Sequence, residues 1–104
     1  MASTTEFFEY VMAKAGAKLI ESPSSSVRVV EIERFAETLN QDNVMCKTHV
    51  ATTQFHIHDD GFVEGFFADH EHGEDFVKTP CYYLSNVIID RENNKHHIMK
   101  LFVR

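Results

Sequence analysis

The chain has 104 residues, 43% hydrophobic and 25% charged, with 10 Lys and Arg against 16 Asp and Glu and a formal net charge of −6. That length suits one domain, residues 1–104, and the composition excludes an intrinsically disordered chain. The acidic balance argues against nucleic acid as a ligand, because a phosphate footprint needs a basic patch, and no apolar run approaches the roughly 20 residues of a membrane helix.

The opening Met-Ala-Ser-Thr-Thr-Glu shows neither a basic n-region nor an apolar h-region, so no secretory signal is expected. Cys46 and Cys81 are too few and too far apart for a zinc knuckle or a disulfide framework. They read as reduced core thiols of a cytoplasmic protein.

Phe7, Phe8, Val11 and Met12 recur at helical spacing, which predicts a helix over 4–15. Ser3 or Thr4 is its N-cap, and Gly16 its terminating glycine. Ala17 to Glu21 reads as a short strand, and Ser22-Pro23-Ser24-Ser25-Ser26 as a loop. The next segment is ambiguous. Val27 and Val29 alternate like a strand, whereas Val29, Ile32, Phe35, Ala36 and Leu39 recur like a helix. It is resolved as a short extended start followed by a helix to about Asn40.

From residue 44 onward the pattern is strand. Strands are predicted over 47–58, 62–71, 76–90 (bulged near Pro80) and 95–104, with turns at Asp59-Asp60-Gly61, at His72-Gly73-Glu74-Asp75 and at Arg91–Asn94. The expected fold is therefore α+β, with N-terminal helices packed on a curved four-stranded antiparallel meander.

Seven histidines are the compositional feature that hints at function. His56-Ile57-His58 and His70-Glu71-His72 are both HxH, placed here on strands, where period-two geometry puts each pair on one face. Such pairs offer imidazoles to a transition metal, but acids surround both, and they are read as surface groups with no metal. His49 falls in phase with Ala51, Thr53, Phe55 and Ile57, the more apolar alternation. A carboxylate beside a partly buried imidazole is the arrangement of a general base, and Asp69 is taken as that carboxylate. The hairpin register stays open. A two-residue loop at Asp60-Gly61 puts His49 on the face of His70 and His72; a three-residue loop puts it with Asp69 and Glu71.

Residues 48–77 contain no Lys or Arg but seven acids, Asp59, Asp60, Glu64, Asp69, Glu71, Glu74 and Asp75. They form either a solvated rim or a surface for a basic protein partner. Phe55, Phe66 or Phe67, Tyr82 or Tyr83, and Phe102 are the expected aromatic core. Both alternations of the last strands are apolar, Tyr83, Val87 and Ile89 against Tyr82, Leu84 and Ile88, which predicts a homodimer through the outer sheet face.

Glu21-Ser22-Pro23 with Val27 to Phe35, Thr48 to Thr53 through Asp60-Gly61 to Phe67-Ala68-Asp69-His70, and Tyr82 to Asp90 with Asn93-Asn94-Lys95 and Ile98 to Val103 together resemble the NTF2-like superfamily, specifically its SnoaL-like branch. The resemblance implies a cone shortened at the front, a cavity between helices and sheet for a small apolar or aromatic ligand, and frequent dimerisation. It also implies lyase or isomerase chemistry, with no cofactor, in which His49 would act as base. The other function open at this point is a non-enzymatic acidic interaction protein that binds a basic partner through the 59–75 hairpin.

Overall fold

A computed structural model describes residues 2–101. The one α-helix among them, α1 (Thr4–Met12), is capped by Ser3, whose Oγ accepts from the Glu6 N–H at 3.1 Å. The helix stops at Met12, short of the expected Ala15, and Gly16 (φ +81°) lies in the turn beyond it. The following strands are β1 (Ala17–Ile20), β2 (Val27–Leu39), β3 (Met45–His58), β4 (Phe62–Asp69), β5 (Val77–Lys78), β6 (Tyr82–Tyr83), β7 (Val87–Asp90) and β8 (Lys95–Ile98).

The architecture is α+β. Strands β1 to β5 pair antiparallel in chain order, and β6 joins the outer edge of β4; β7 and β8 form a separate hairpin. The predicted helix to Asn40 is wrong. That segment is a 13-residue strand paired to β3 from Val27↔His58 to Leu39↔Met45. Its inner half misled the periodicity because it is buried on both faces: Val27 and Val29 on one, Val30 and Ile32 on the other. The result is a mixed pattern instead of clean alternation.

The long strand predicted over 76–90 is also broken. Thr79-Pro80-Cys81 separates β5 from β6, and a 3₁₀ turn at Leu84–Asn86 separates β6 from β7. Because of that turn Tyr82, Leu84 and Val87 are all buried while Ile88 is exposed, so the two alternating faces proposed for a dimer do not exist as such. The expected strand to Arg104 is seen to Ile98. Residues 102–104, including Phe102, lie outside the described residues.

The core lies between α1, one face of the sheet and the β7–β8 hairpin. Phe7, Val11, Val30, Val63 and Val87 are fully buried there, with Ile57, Tyr82 and Leu84 beside them. Phe7 sits at its centre, edge-on to Phe55 at 5.8 Å and to His96 at 5.5 Å. Of the paired aromatic candidates, Tyr82 points into this core, while Tyr83 lies on the outer face against Phe62. Of the two cysteines expected in the core, Cys81 is buried but Cys46 is exposed on β3, in the part of the strand that lies beyond the core.

Beyond Glu33 on β2 and below Ala51 on β3 the flanking strands stop. β1 ends at Ala17↔Ile32 and β4 at Asp69↔Ala51. The outer part of the β2–β3 hairpin therefore projects as an arm, and its residues Arg34–Leu39 are all exposed. The radius of gyration, 15.4 Å, and the 50 Å long axis reflect this arm; a compact chain of about 100 residues has roughly 13 Å. Among the described residues no helix is long and apolar enough to cross a membrane.

Candidate functional site

The β3–β4 turn settles the hairpin register. Ile57 pairs with Val63, so Asp59-Asp60-Gly61 is a three-residue turn, closed by the Gly61 N–H donating to the His58 carbonyl at 2.9 Å with Gly61 at φ +92°. By strict alternation His49 would then share a face with Asp69. It does not. Arg34 pairs with Ala51 while Phe35 pairs with His49, which leaves Val50 as an extra residue on β3. This β-bulge shifts the phase by one and turns His49 onto the face of Thr52.

The consequence is a hydrogen-bonded series across the outer face. Thr52 Oγ1 lies 2.7 Å from His49 Nε2, His49 Nδ1 lies 2.7 Å from His70 Nε2, and His70 Nδ1 lies 2.9 Å from Glu74 Oε1. As a carboxylate Glu74 only accepts, so His70 Nδ1–H donates to it. His70 Nε2 then accepts from His49 Nδ1–H, and His49 Nε2 accepts from the Thr52 hydroxyl. Thr52 is buried, His70 exposed, and the Phe35 ring stands 5.5 Å from the His49 ring. An open basin of about 280 Å³ is lined by Glu31, Thr52, Ala68, Phe76 and the two imidazoles.

Asp69 takes no part in the series. Its carboxylate accepts from the His72 backbone N–H at 2.7 Å and meets His72 Nδ1 at 2.9 Å, and these bonds hold it below the usual carboxylate range. The predicted His49–Asp69 pair is thus replaced by His49–His70. The bulge has no mark in the sequence, since Val50 is an ordinary strand residue; a two-residue loop would put His49 on the face of His70, but the turn has three residues and it is the bulge that brings the two together. The i,i+4 spacing of His70 and Glu74 was the visible clue.

The HxH pairs separate as well. His56 and His58 share the outer face, but His56 Nε2 meets Gln54 Oε1 at 3.3 Å and His58 Nε2 meets Glu64 Oε1 at 2.7 Å. Lys78 also pairs with Glu64, at 2.7 Å, and with His58 holds that carboxylate low. His70 and His72 lie past the end of β4, not on it. The acids of 59–75 do not form one surface either. Asp59 and Asp60 cap one end of β4, and Glu71, Glu74 and Asp75 follow its other end, roughly 24 Å away at ~3.4 Å per residue.

A second open groove, about 520 Å³, runs beside the base of the arm and is lined by Ala15, Gly16, Glu33, Phe35, Glu37 and Lys47. No family model matches the chain, and neither a curated protein nor a solved structure matches it.

Proposed function

We propose that the protein is a non-enzymatic interaction module that binds an extended, basic protein segment by strand addition to β2. The carrying observation is the free edge of β2 over 34–39, which has no strand partner among the described residues beyond Glu33, whose N–H donates to the Gly16 carbonyl. An unpaired edge presents a row of backbone donors and acceptors, and proteins either blunt such edges or use them. On the outer face β2 alternates Glu33, Phe35, Glu37 and Leu39, with Phe35 and Leu39 both more than half exposed. An incoming strand whose residues on that face are in turn Lys or Arg and apolar, a four-residue repeat, would set cations beside Glu33 and Glu37 and apolar groups beside Phe35 and Leu39. The net charge of −6 would steer such a segment. The dense packing around Phe7 also supports binding outside the helix–sheet core rather than within it.

The test is an NMR titration with a decapeptide in which every second residue is in turn Lys and Val and the residues between are Thr. Amide shifts centred on 34–39 and abolished by Glu33→Lys with Glu37→Lys are expected. Silence at millimolar peptide, or shifts confined to the basin at Thr52, would overturn the reading.

A second reading keeps the NTF2-like resemblance and has the Thr52–His49–His70–Glu74 series in its favour. In it the basin takes a small ligand, and His49 serves as proton acceptor, with His70 and Glu74 orienting it. Fragment titration that shifts Thr52, Ala68 and Phe76 while leaving 34–39 unmoved would select it.

A further inference from the structure

The series at His49 has a second meaning. Two imidazole nitrogens, His49 Nδ1 and His70 Nε2, face each other at 2.7 Å, and the far nitrogen of each ring is anchored, by Thr52 Oγ1 and by Glu74. A histidine that ligates a metal characteristically has its other ring nitrogen fixed by a carboxylate, carbonyl or hydroxyl, which sets ring orientation and tautomer. Here both rings meet that condition, and Glu31, Asp69 and Glu74 line the same basin and favour a cation. We propose that His49 Nδ1 and His70 Nε2 form a two-imidazole site for a borderline divalent transition metal such as zinc, its remaining positions open to the basin. The site is independent of strand addition at β2.

The geometry requires the two rings, whose centroids are 4.9 Å apart, both to part and to tilt so that their lone pairs meet at the ion. Zinc bonds to imidazole at about 2.0–2.1 Å, so a tetrahedral ion holds two nitrogens roughly 3.3 Å apart. The rings must part by about 0.6 Å from the present 2.7 Å. His70 lies in the bend after β4 with its side chain half exposed, so it is free to give way. Neither the hydrogen-bond partners nor the strand positions bring His56 and His58 to a shared point in this way.

The proton balance is defined. His70 already carries its proton on Nδ1, toward Glu74, and keeps it. His49 exchanges Nδ1–H for Nε2–H, which now donates to Thr52 Oγ1, so that Nδ1 becomes a lone-pair ligand. No net proton is released and nothing is oxidised. Three described residues of metal-ligating type do not converge here, so the ion holds solvent or a ligand in its other positions.

Zinc titration by calorimetry, with long-range ¹H–¹⁵N spectra of the imidazoles, tests this. Expected are one zinc per chain, a switch of the His49 tautomer and an unchanged His70 tautomer. His49→Gln and His70→Ala should each lower affinity at least about 100-fold, and Glu74→Gln about 10-fold. His70 is exposed, so His70→Ala serves even if the His49 variant fails to fold. The double variant His56→Ala, His58→Ala should bind as the parent does. Unchanged affinity in His70→Ala, loss in the His56/His58 variant, or a His49 tautomer that does not move at saturation would each overturn the site.

Discussion

Strands β2 and β3 run through two environments. Over Val27–Glu33 and Ala51–His58 they are the middle of a sheet, flanked by β1 and β4 and covered by α1. Over Arg34–Leu39 and Met45–Val50 they are a ribbon whose two edges have no strand partner among the described residues, with solvent on both faces. A two-stranded ribbon is marginal in water on its own. What the body supplies is apolar burial, and what the arm has is register, including a hydroxyl contact of 3.0 Å between Thr38 and Thr48. The bulge at Val50 and the turn at Gly16 sit at the border, so the candidate sites lie where one regime gives way to the other. The arm is thus built on, but not part of, the structure that packs.

The largest effect should come from Phe7→Ala. The ring is fully buried and touches Tyr10, Phe55, Tyr82 and His96. Removing a buried Phe costs about 3–5 kcal/mol in lost transfer and cavity energy. Urea melts should show that loss, which would leave little of a marginal domain's stability. A loss no greater than that of an exposed Phe would mean the core is not centred on α1.

Gly16→Ala comes next. At φ +81° an L residue is strained, and a Cβ there would run into the Glu33 carbonyl oxygen, while the Gly16 carbonyl accepts from the Glu33 N–H at 3.3 Å. Left-handed strain alone costs about 1–2 kcal/mol. Gly61 has φ +92° but open space around it, so Gly61→Ala should show the strain alone and Gly16→Ala clearly more. Equal losses would remove the argument that the Gly16–Glu33 contact joins body to arm.

These two residues also show what was legible. The helix, its Ser3 cap, the turns at Asp59–Gly61 and Arg91–Asn94, and the strand character after residue 44 follow from local patterns, and they are present. The failures share a cause. β2 was misread because its inner half is buried on both faces and its exposed outer half still carries apolar Phe35, Ala36 and Leu39, both of which are tertiary facts. The sequence leaves the face of His49 open and offers Asp69 as its partner, because one extra residue in a ladder has no composition of its own. The 3₁₀ turn at Leu84–Asn86 follows a stretch of ordinary strand formers, Cys81-Tyr82-Tyr83. The candidate site was legible in its parts, His49, His70 and the nearby acids, but not in its pairing.

The pH dependence separates body from surface. A neighbouring carboxylate favours the imidazolium form. His96, by contrast, is held below its ordinary value, first by burial among Phe7, Tyr10 and Tyr82 and then by the Lys14 and His97 charges; His56 is lowered by burial despite Glu64. A histidine with a depressed folded pKa binds fewer protons folded than unfolded. Stability is therefore unaffected well above pH 6.5 and falls as pH drops from about 6.5 toward the folded value, because the unfolded chain protonates first. Denaturation midpoints should decline across that window, and His96→Phe, which keeps the ring packing, should flatten the decline. A midpoint that rises between pH 7 and 6 would refute the assignment.

The smallest expected effect on stability carries the most weight for function. Phe35→Ser and Leu39→Ser remove apolar groups from an arm that buries almost nothing, so each should change unfolding free energy by no more than about 0.5 kcal/mol. Both should nevertheless weaken the Lys–Val peptide, because those side chains face the edge it would join. Hydrogen exchange sharpens the contrast further. The hydrogen-bonded ladder amides of 35–39 and 45–49 should exchange by local opening, well before those of Val30 and Val63, which are fully buried in the core. If the arm amides exchanged as slowly as the core, the arm would be part of the cooperative body, and its exposed apolar edge would need a stabilising contact of its own. If they exchange early, the arm is a low-stability element free to accept a strand, and added peptide should slow exchange in 34–39 first.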